Sequence, residues 1–306
     1  SNIFLETTAA TVPNTFLEST SQASEEDGLG SLGLSVYQED PNSPPPEIHY
    51  EGGEMSIKFS LDGYGRAGRN GVGILLFLDG RPQPYRLEGD TDYQYMHRFT
   101  LNNEMIYPVF YFTPVTGQAG DTLEMATLTV LYPEYLPSKG NPGMMTYTHG
   151  SLGVSFPLQM DATPVKAKMP EKLTLLSEPK ITYEPCAPQD VLGWENDDFQ
   201  IKYGHESEVN GVSNGPNVFA NFHKEKLDLK YSLWGTTLVH YTVVYFLNNE
   251  PVYLPDGSCL DLEVQDGMKT VARLTMDTST LTGEDVVYAV LVPRNSRLTD
   301  VSTMAF

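Results

Sequence analysis

The chain has 306 residues and a formal net charge of -21, which results from 40 Asp and Glu against 19 Lys and Arg. Phosphate backbones and anionic membrane surfaces are bound by clustered cations, so this composition argues against nucleic acid and anionic lipid as partners. A membrane-spanning helix needs about 18 consecutive apolar residues, and the longest apolar run is 72–78. We therefore expect the chain not to span a membrane.

The N-terminal segment 1–47 is rich in Ser, Thr, Glu, Gly and Pro and shows no hydrophobic periodicity. Such a segment buries too little apolar surface to order itself, and its Pro triplet 44–46 favours a stiff, extended chain. We predict a linker or stalk over residues 1–47. The alternative is that FLETT at 4–8 or LSVYQ at 34–38 adds an edge strand to the fold.

From residue 48 onward the sequence favours β-strands. The stretch 55–61 alternates apolar with polar residues, which is the pattern of a half-buried strand. The stretch 93–99 alternates in the same way and puts Tyr93 and Tyr95 on one face. Helical spacing is not sustained anywhere, and 22 Pro and 26 Gly interrupt the chain too often for long helices. The sequence therefore predicts an all-β protein.

Four segments recur in the same order in the two halves of the chain, and the most similar pair is FLDGRPQPY at 77–85 and FLNNEPVY at 246–253. The matched positions are Ile57 with Ile201, Pro82 with Pro251, Phe99 with Leu274, and Pro133 with Pro293. Ordered recurrence indicates an internal duplication, and 306 residues have room for two domains. We predict two β-sandwich domains over 48–164 and 172–306, joined by a linker at 165–171.

The matched hairpins have Asp79-Gly80 and Asn248-Asn249 at their centres, between apolar strands. Both pairs tolerate the positive φ angles that a type I′ turn requires. The prolines that follow each turn lack a backbone donor and therefore suit edge strands. Turn geometry accounts for both hairpins, so neither is predicted to perform chemistry.

Aromatic side chains suggest carbohydrate binding, because sugar rings stack on exposed aromatic faces. The candidates are Trp234 in a long predicted loop between residues 203 and 241, Trp194 near the start of a strand, and the pair Tyr93 and Tyr95. The tyrosine pair also fits a core position, since aromatic residues dominate β-sandwich interiors. Trp234 is the candidate that we expect to be exposed, because long loops on rigid β scaffolds commonly bind ligands.

Two acidic clusters contain carboxylate side chains, which are of the type that binds calcium in proteins. They consist of Glu88, Asp90 and Asp92, and of Glu195, Asp197 and Asp198. Calcium takes roughly six to eight oxygen ligands, and so short a cluster supplies too few without help from other loops. We expect solvated acidic turns, with calcium as the alternative and no other cofactor.

Cys186 and Cys259 are the two cysteines of the sequence. A disulfide between them would close a loop of about 70 residues and stabilise the fold by about 4 kcal/mol in the chain-entropy model, provided that the two backbones approach closely. The alternative is a pair of buried, reduced thiols. No Cys-x-x-Cys pair occurs in the sequence, so a structural zinc site is not expected.

Catalytic motifs are weak. The six His residues are scattered along the sequence, and Ser151 in HGSLG lacks both the Gly-x-Ser-x-Gly pattern and the strand-to-helix turn of a nucleophilic serine. We predict no catalytic residues. A glycan-active hydrolase, which would need a carboxylate pair or a metal in a cleft, is kept as an alternative.

The layout of 41–306, with tandem β domains behind a Ser-, Thr- and Pro-rich spacer, an acidic composition and few cysteines, resembles the Ig-like modules of bacterial surface and secreted proteins. The resemblance implies a non-catalytic structural or adhesion module outside the cell, with a protein or glycan partner bound by loops or sheet edges. A carbohydrate-binding accessory protein is the first alternative. The resemblance implies export, and because the N-terminus of the sequence given lacks the pattern of a signal peptide, we expect the leader to lie outside it.

Overall fold

The computed structural model describes residues 32–65, 71–131, 133–134, 150–166, 168–187, 203–213, 225–235, 240–265, 267–281 and 285–294. All regular elements within these ranges are β-strands, which confirms the all-β prediction. No helix within the same ranges is long and apolar enough to cross a membrane.

The first of two compact units contains the described residues up to 134 together with 150–166 and 168–170. Its strands are β1 (Leu32–Val36), β2 (Ile48–Tyr50), β3 (Met55–Gly63), β4 (Val72–Leu78), β5 (Arg81–Pro82), β6 (Arg86–Leu87), β7 (Met96–Phe99), β8 (Val109–Phe112), β9 (Thr122–Leu131) and β10 (Gly150–Met160). One sheet has the order β1-β3-β8-β6, and the other has the order β2-β10-β9-β4-β5 with β7 also beside β4. Pairing is antiparallel except between β2 and β10.

The core of the first unit takes side chains from both of its sheets. Along β3 the buried residues Ile57 and Phe59 alternate with the exposed Lys58, as a strand with one face in a core requires. Phe110 on β8 lies at the centre of this core, with its ring centroid 4.7 Å from that of Phe59 and 4.1 Å from that of Tyr85. Aromatic packing therefore fixes which face of this sheet turns outward.

The second unit contains the described residues from 171 onward. Its strands are β11 (Lys180–Pro185), β12 (Tyr203–Val209), β13 (Val212–Ser213), β14 (Lys226–Gly235), β15 (His240–Leu247), β16 (Glu250–Val252), β17 (Leu260–Glu263), β18 (Met268–Asp277) and β19 (Val287–Arg294). One sheet has the order β11-β18-β14-β12-β13, and the other has the order β16-β15-β17 with β19 also beside β15. Both sheets contribute to one hydrophobic core.

The two units share a pattern of strand pairing. In the first unit β4 pairs with β5, β7 and β9, and in the second β15 pairs with β16, β17 and β19. In the other sheets, β3 lies between β1 and β8, and β14 lies between β12 and β18. Strands β1, β3, β4, β5, β7, β8 and β9 therefore correspond in chain order to β12, β14, β15, β16, β17, β18 and β19.

This correspondence agrees with some of the sequence matches and not with others. Phe77 pairs with Pro82 and Phe246 with Pro251, so the two hairpins have the same register. The match near the ends of β9 and β19 also joins corresponding strands. Phe99 lies in β7, which corresponds to β17, whereas its sequence match at position 274 lies in β18. That match therefore joins two strands that do not correspond. The match at position 201 lies outside the described residues.

The two matched turns have the backbone geometry that their residues favour. The φ angles are 48° at Asp79 and 75° at Gly80, and 51° at Asn248 and 67° at Asn249. A type I′ turn requires positive φ at both central residues. Asp79 and Asn248 each also donate a backbone N–H to a carbonyl of the neighbouring segment, at 2.8 Å in both cases. Strands β5 and β16, which carry the prolines, lie at sheet edges.

Strand β1 lies inside the segment 1–47, which its composition assigns to a spacer. All five of its residues pair antiparallel with β3. Leu34 is 6% exposed within the core, and Leu32 and Val36 pack against that core from the periphery. Three apolar residues at alternate positions thus order this strand, and the fold extends upstream of residue 48 in the way that the LSVYQ alternative describes.

The second unit contains a polar pair in which the buried Tyr231 contacts the partly buried His205. A hydrogen bond of 2.9 Å joins the Nδ1 atom of His205 on β12 to the hydroxyl of Tyr231 on β14. Burial favours the neutral imidazole and lowers the pKa of His205 from 6.5 to about 4. The folded second unit therefore holds this histidine without a charge near neutral pH.

We expect Leu34→Ala to lower the free energy of unfolding by about 2 to 4 kcal/mol, because a buried leucine is lost from the core. Ser35→Ala is the matched control on the outward face of the same strand, and its effect should stay within about 0.5 kcal/mol. Urea unfolding of the full chain measures both variants. Equal stability of the Leu34 variant and the wild type would mean that β1 contributes nothing to the fold.

We expect acid to destabilise the second unit through His205. The pKa of this histidine is lower in the folded chain than the value of 6.5 expected on unfolding, so its contribution to stability is complete above pH 6.5. That contribution is lost as the pH falls from 6.5 towards 4, because the unfolded chain then binds a proton that the folded chain excludes. Urea midpoints measured over this range should fall less steeply in His205→Gln than in the wild type, and parallel slopes would contradict the assignment.

Candidate functional site

The outward face of the four-stranded sheet in the first unit carries a cluster of tyrosines and cations. Because the alternate residues of β3 and β8 are committed to the core, their neighbours must point away from it. We call this surface the tyrosine face. Its members are Tyr37, Glu54, Lys58, Arg86, Tyr93, Tyr107 and Tyr111.

One half of the tyrosine face is centred on Lys58. Its Nζ atom lies 3.9 Å from the ring centroid of Tyr37 and 5.5 Å from that of Tyr107. The two rings meet edge to face, with centroids 5.4 Å apart. The backbone N–H of Tyr37 donates to the carbonyl of Lys58 at 2.9 Å, which holds this ring at the end of β1. Tyr107 is 49% exposed, so this half of the face offers an accessible aromatic surface.

The other half is centred on Arg86. Its Nε and Nη2 atoms donate to the two carboxylate oxygens of Glu54 at 3.0 and 2.5 Å. The hydroxyl of Tyr93 donates to the same carboxylate. The guanidinium carbon lies 4.4 Å from the ring centroid of Tyr111, its partner in register between β6 and β8. A bidentate ion pair on an aromatic ring is a rigid arrangement, because the planar guanidinium satisfies both contacts in one geometry.

This arrangement fixes the protonation states of Glu54 and Tyr93. Hydrogen bonds from Arg86 have the largest effect and lower the pKa of Glu54; burial opposes them, and the bond from Tyr93 lowers the pKa further by a smaller amount. Burial, together with the bond to Glu54, raises the pKa of Tyr93. At neutral pH the carboxylate is therefore an ionised acceptor and the phenol a protonated donor. The face combines aromatic surface, cations and hydroxyl-binding groups.

The corresponding sheet of the second unit has a different outward face, which is dominated by ion pairs. The Nζ atom of Lys230 on β14 lies 2.6 Å from the carboxylate of Glu208 on β12. Arg273 on β18 contacts the carboxylate of Glu184 on β11 at 3.1 Å. Half-exposed pairs of this kind are typical of a solvated surface.

Trp234 lies on β14, within this second sheet, and not in a loop as its sequence context suggests. Its ring lies over Gly204 on β12, where an added Cβ would come within 2.4 Å of a ring atom. The Nζ atom of Lys269 lies 4.5 Å from the ring centroid. The indole is therefore partly covered by its neighbours and is of intermediate exposure.

The two predicted tyrosines lie in different surroundings. Tyr93 belongs to the tyrosine face, whereas Tyr95 is 2% exposed and cannot be a binding platform. The prediction for Tyr95 is wrong because regular pairing begins only at Met96, after an isolated bridge at Gln94. Period-two alternation does not extend through this irregular segment. Trp194 lies outside the described residues.

The acidic residues for which calcium binding is the alternative do not converge where the structure describes them. Glu88, Asp90 and Asp92 are exposed in the turn after β6. Among the described residues, no three His, Cys, Asp or Glu side chains form a group that could hold a metal ion. Asp90 lies 3.9 Å from the Nδ1 atom of the buried His97. The second acidic cluster, at 195–198, lies outside the described residues.

The two cysteines are not joined by a disulfide, which differs from the bridged alternative. Cys186 follows β11 and donates its backbone N–H to the carbonyl of Gly267 at 3.1 Å. Cys259 is 5% exposed and precedes β17 in the other sheet of the second unit. Cys186 thus adjoins a strand of one sheet and Cys259 adjoins a strand of the other.

The tyrosine face is not evident from the sequence, except for Tyr93. Tyr37, Glu54, Arg86 and Tyr107 are far apart in the chain and occur in segments with no motif. The alternation of β3 does predict that Lys58 points outward. The partners of Lys58 depend on which strands lie beside β3, and this information is not contained in a local pattern.

No family model matches this chain, and no curated protein matches it. Among solved structures it is similar to tripeptidyl peptidase 2, with a TM-score of 0.22 and 9% identity over 88% of this chain and 20% of the peptidase. It is also similar to the CupB6 tip adhesin from Pseudomonas aeruginosa, with a TM-score of 0.18 and 9% identity over 81% of this chain and 87% of the adhesin. The chain spans about a fifth of the peptidase. TM-scores of this size do not establish a shared fold, so neither protein assigns a function here.

We expect the two cysteines to react with a thiol reagent at different rates. Cys186 is partly exposed and should react in the native protein, whereas the buried Cys259 should react only after denaturation. Titration with a chromogenic disulfide reagent, with and without denaturant, measures both thiols, and Cys186→Ser should remove the fast reaction alone. A gain of two hydrogens in intact mass on reduction would instead reveal a disulfide.

Proposed function

We propose that this protein is a non-catalytic adhesion or structural module that acts outside the cell and binds its partner through the tyrosine face. One observation carries the proposal. Tyr107, which is 49% exposed, lies beside a second tyrosine and a lysine on an outward sheet face. Tyrosine and arginine are enriched at binding interfaces and among their energetic hot spots.

The sheet face is a more suitable platform than a mobile loop for this purpose. Tyr107 precedes β8, and the backbone N–H groups of Phe59 and Leu61 on β3 donate to the carbonyls of its neighbours Pro108 and Ile106, which holds Tyr107 beside β3. The ion pair of Arg86 with Glu54 immobilises two further side chains before a partner arrives. Groups that are ordered in advance lose less conformational entropy on binding, which favours affinity. The proposal therefore assigns recognition to this face, whereas the sequence alone favours loops.

Carbohydrate binding is the second candidate function, and the exposed ring of Tyr107 favours it. A sugar presents an apolar face that stacks on an aromatic ring and hydroxyls that need both donors and acceptors. The hydroxyl of Tyr93 donates to Glu54, so the remaining lone pairs of these two groups are acceptors for sugar hydroxyls, and the ammonium group of Lys58 is a donor on the same face. A carbohydrate-binding accessory protein would thus use the same residues as an adhesion module.

Binding is preferred over glycan hydrolysis because of the carboxyl groups. A glycosidase needs a carboxylic acid with a raised pKa near an ionised carboxylate. Among the described carboxyl groups, those whose pKa departs clearly from its usual value all have it lowered. They are Asp40, Glu54, Asp256 and Asp277. These groups favour the ionised form, which suits hydrogen bonding to a ligand.

We further propose that the two units are copies of one ancestral Ig-like β-sandwich domain. The proposal is supported by seven strands that correspond in order and pairing, and by hairpins of equal register. After duplication, the outward faces would have diverged into an aromatic face and an ion-paired face. This history explains why only one of two similar frames carries the candidate site.

The proposal predicts that a Tyr37→Ala/Tyr107→Ala double variant loses binding by about tenfold or more, as hot-spot residues do. The full chain, the double variant and a control would be applied to the same arrays of purified glycans and extracellular proteins. Tyr183→Ala is the matched control, since Tyr183 is 46% exposed and lies on β11 of the second unit.

Loss in the double variant with retention in the control would support the proposal. Equal binding by all three chains would overturn it, and so would a wild-type chain that binds no array feature above background. Circular dichroism of each variant distinguishes loss of the site from loss of the fold.

A further inference from the structure

We propose that Tyr37, Lys58 and Tyr107 form a subsite for an acidic sugar, in which a uronate ring stacks on tyrosine and its carboxylate pairs with Lys58. This inference rests on the proposed function and names its ligand class. It needs an accessible cation that no carboxylate among the described residues neutralises, and an aromatic surface beside that cation.

Lys58 is such a cation. It is exposed, and its Nζ atom is directed over the ring of Tyr37, at 3.9 Å from the centroid. Within the part of the chain that the structure describes, no carboxylate forms an ion pair with Lys58. The other cation of the tyrosine face differs in this respect, because Arg86 is neutralised by a bidentate bond with Glu54. Of the two cations of the tyrosine face, Lys58 is therefore the one that can bind an anionic ligand.

The two tyrosines favour a ligand that contains a ring with an apolar face. Tyr37 and Tyr107 meet at 85° with centroids 5.4 Å apart, so they form a corner of two aromatic surfaces. The ammonium group of Lys58 lies at this corner. A uronate carries its carboxylate directly on the pyranose ring, so a single sugar unit supplies both the apolar face for Tyr107 and the anion for Lys58. A free carboxylate without a ring would leave the aromatic surface uncovered.

The net charge of -21 does not prevent this contact. Charges further apart than the Debye length, about 8 Å at physiological salt, are largely screened. The next carboxylate on the outward face of β3 is Asp62, four residues from Lys58 and therefore about 13 Å away along the strand. Glu54 lies equally far in the other direction and is compensated by Arg86. Along β3 itself, no carboxylate of the outward face is therefore close enough to neutralise Lys58.

Polygalacturonate and its fully methyl-esterified form are the matched probes, since they share a backbone and differ in the charge of the carboxyl group. Isothermal titration calorimetry of the full chain without divalent cations would measure both. We expect the wild type to bind polygalacturonate about tenfold or more tightly than the ester, as a charge-assisted hydrogen bond permits. Lys58→Gln should reduce this preference to none, and Lys58→Arg should retain it.

The remaining outcomes separate this inference from the proposed function. If Tyr107→Ala weakens binding to both polymers and Lys58→Gln changes neither, the face binds glycans but the acidic subsite is wrong. If polyglutamate binds as tightly as polygalacturonate, the ligand is an acidic peptide and the sugar assignment is overturned. If no probe on the glycan and protein arrays depends on Tyr107, both proposals fail. Tyr183→Ala should leave every affinity unchanged, which controls for the loss of an exposed tyrosine elsewhere.

Discussion

The structure depends on one constraint, which is that alternate residues of each core-forming strand must enter an apolar core. In the first unit this core is aromatic at its centre, where Phe110 contacts both Phe59 and Tyr85. A shift of β3 by one residue would exchange its buried and exposed side chains, so the register is fixed by the cost of burying Lys58. The tyrosine face is formed on the side of this sheet that points away from the core, so it depends on the same register.

The same framework gives two chemically different surfaces. Strands β3 and β14 occupy corresponding positions, and each carries a lysine on its outward face. Lys230 on β14 is paired with Glu208 at 2.6 Å, whereas Lys58 on β3 lies against tyrosine rings. An exposed ion pair contributes little to stability and consumes the charge of the lysine. A lysine that lies against aromatic rings keeps its charge available to a ligand. The two faces therefore differ most in whether the charge of their lysine is already neutralised.

Local sequence patterns predict the parts of this fold that depend on neighbouring residues. The all-β class follows from period-two alternation, and the two turns follow from residue pairs that accept positive φ. The patterns fail where the outcome depends on distant segments. Strand β1 looks like a spacer until it is paired with β3, and Tyr95 looks equivalent to Tyr93 until irregular pairing buries it. The residues of the tyrosine face come from separate strands, which no single stretch of sequence brings together.

Energetics allow the candidate site to evolve separately from the fold. An exposed cation–π contact contributes about 0.5 to 1 kcal/mol, which is far less than the loss of a buried leucine or aromatic residue. Lys58 can therefore change its chemistry at little cost to folding, while paired strands keep the surrounding rings at fixed distances. Rigid positioning by backbone hydrogen bonds, combined with side chains that contribute little to stability, is the condition under which a surface can be selected for recognition. The tyrosine face meets this condition, because Tyr111 lies on β8, Tyr37 directly follows β1 and Tyr107 lies two residues before β8, and the opposite sides of these strands are held in the core.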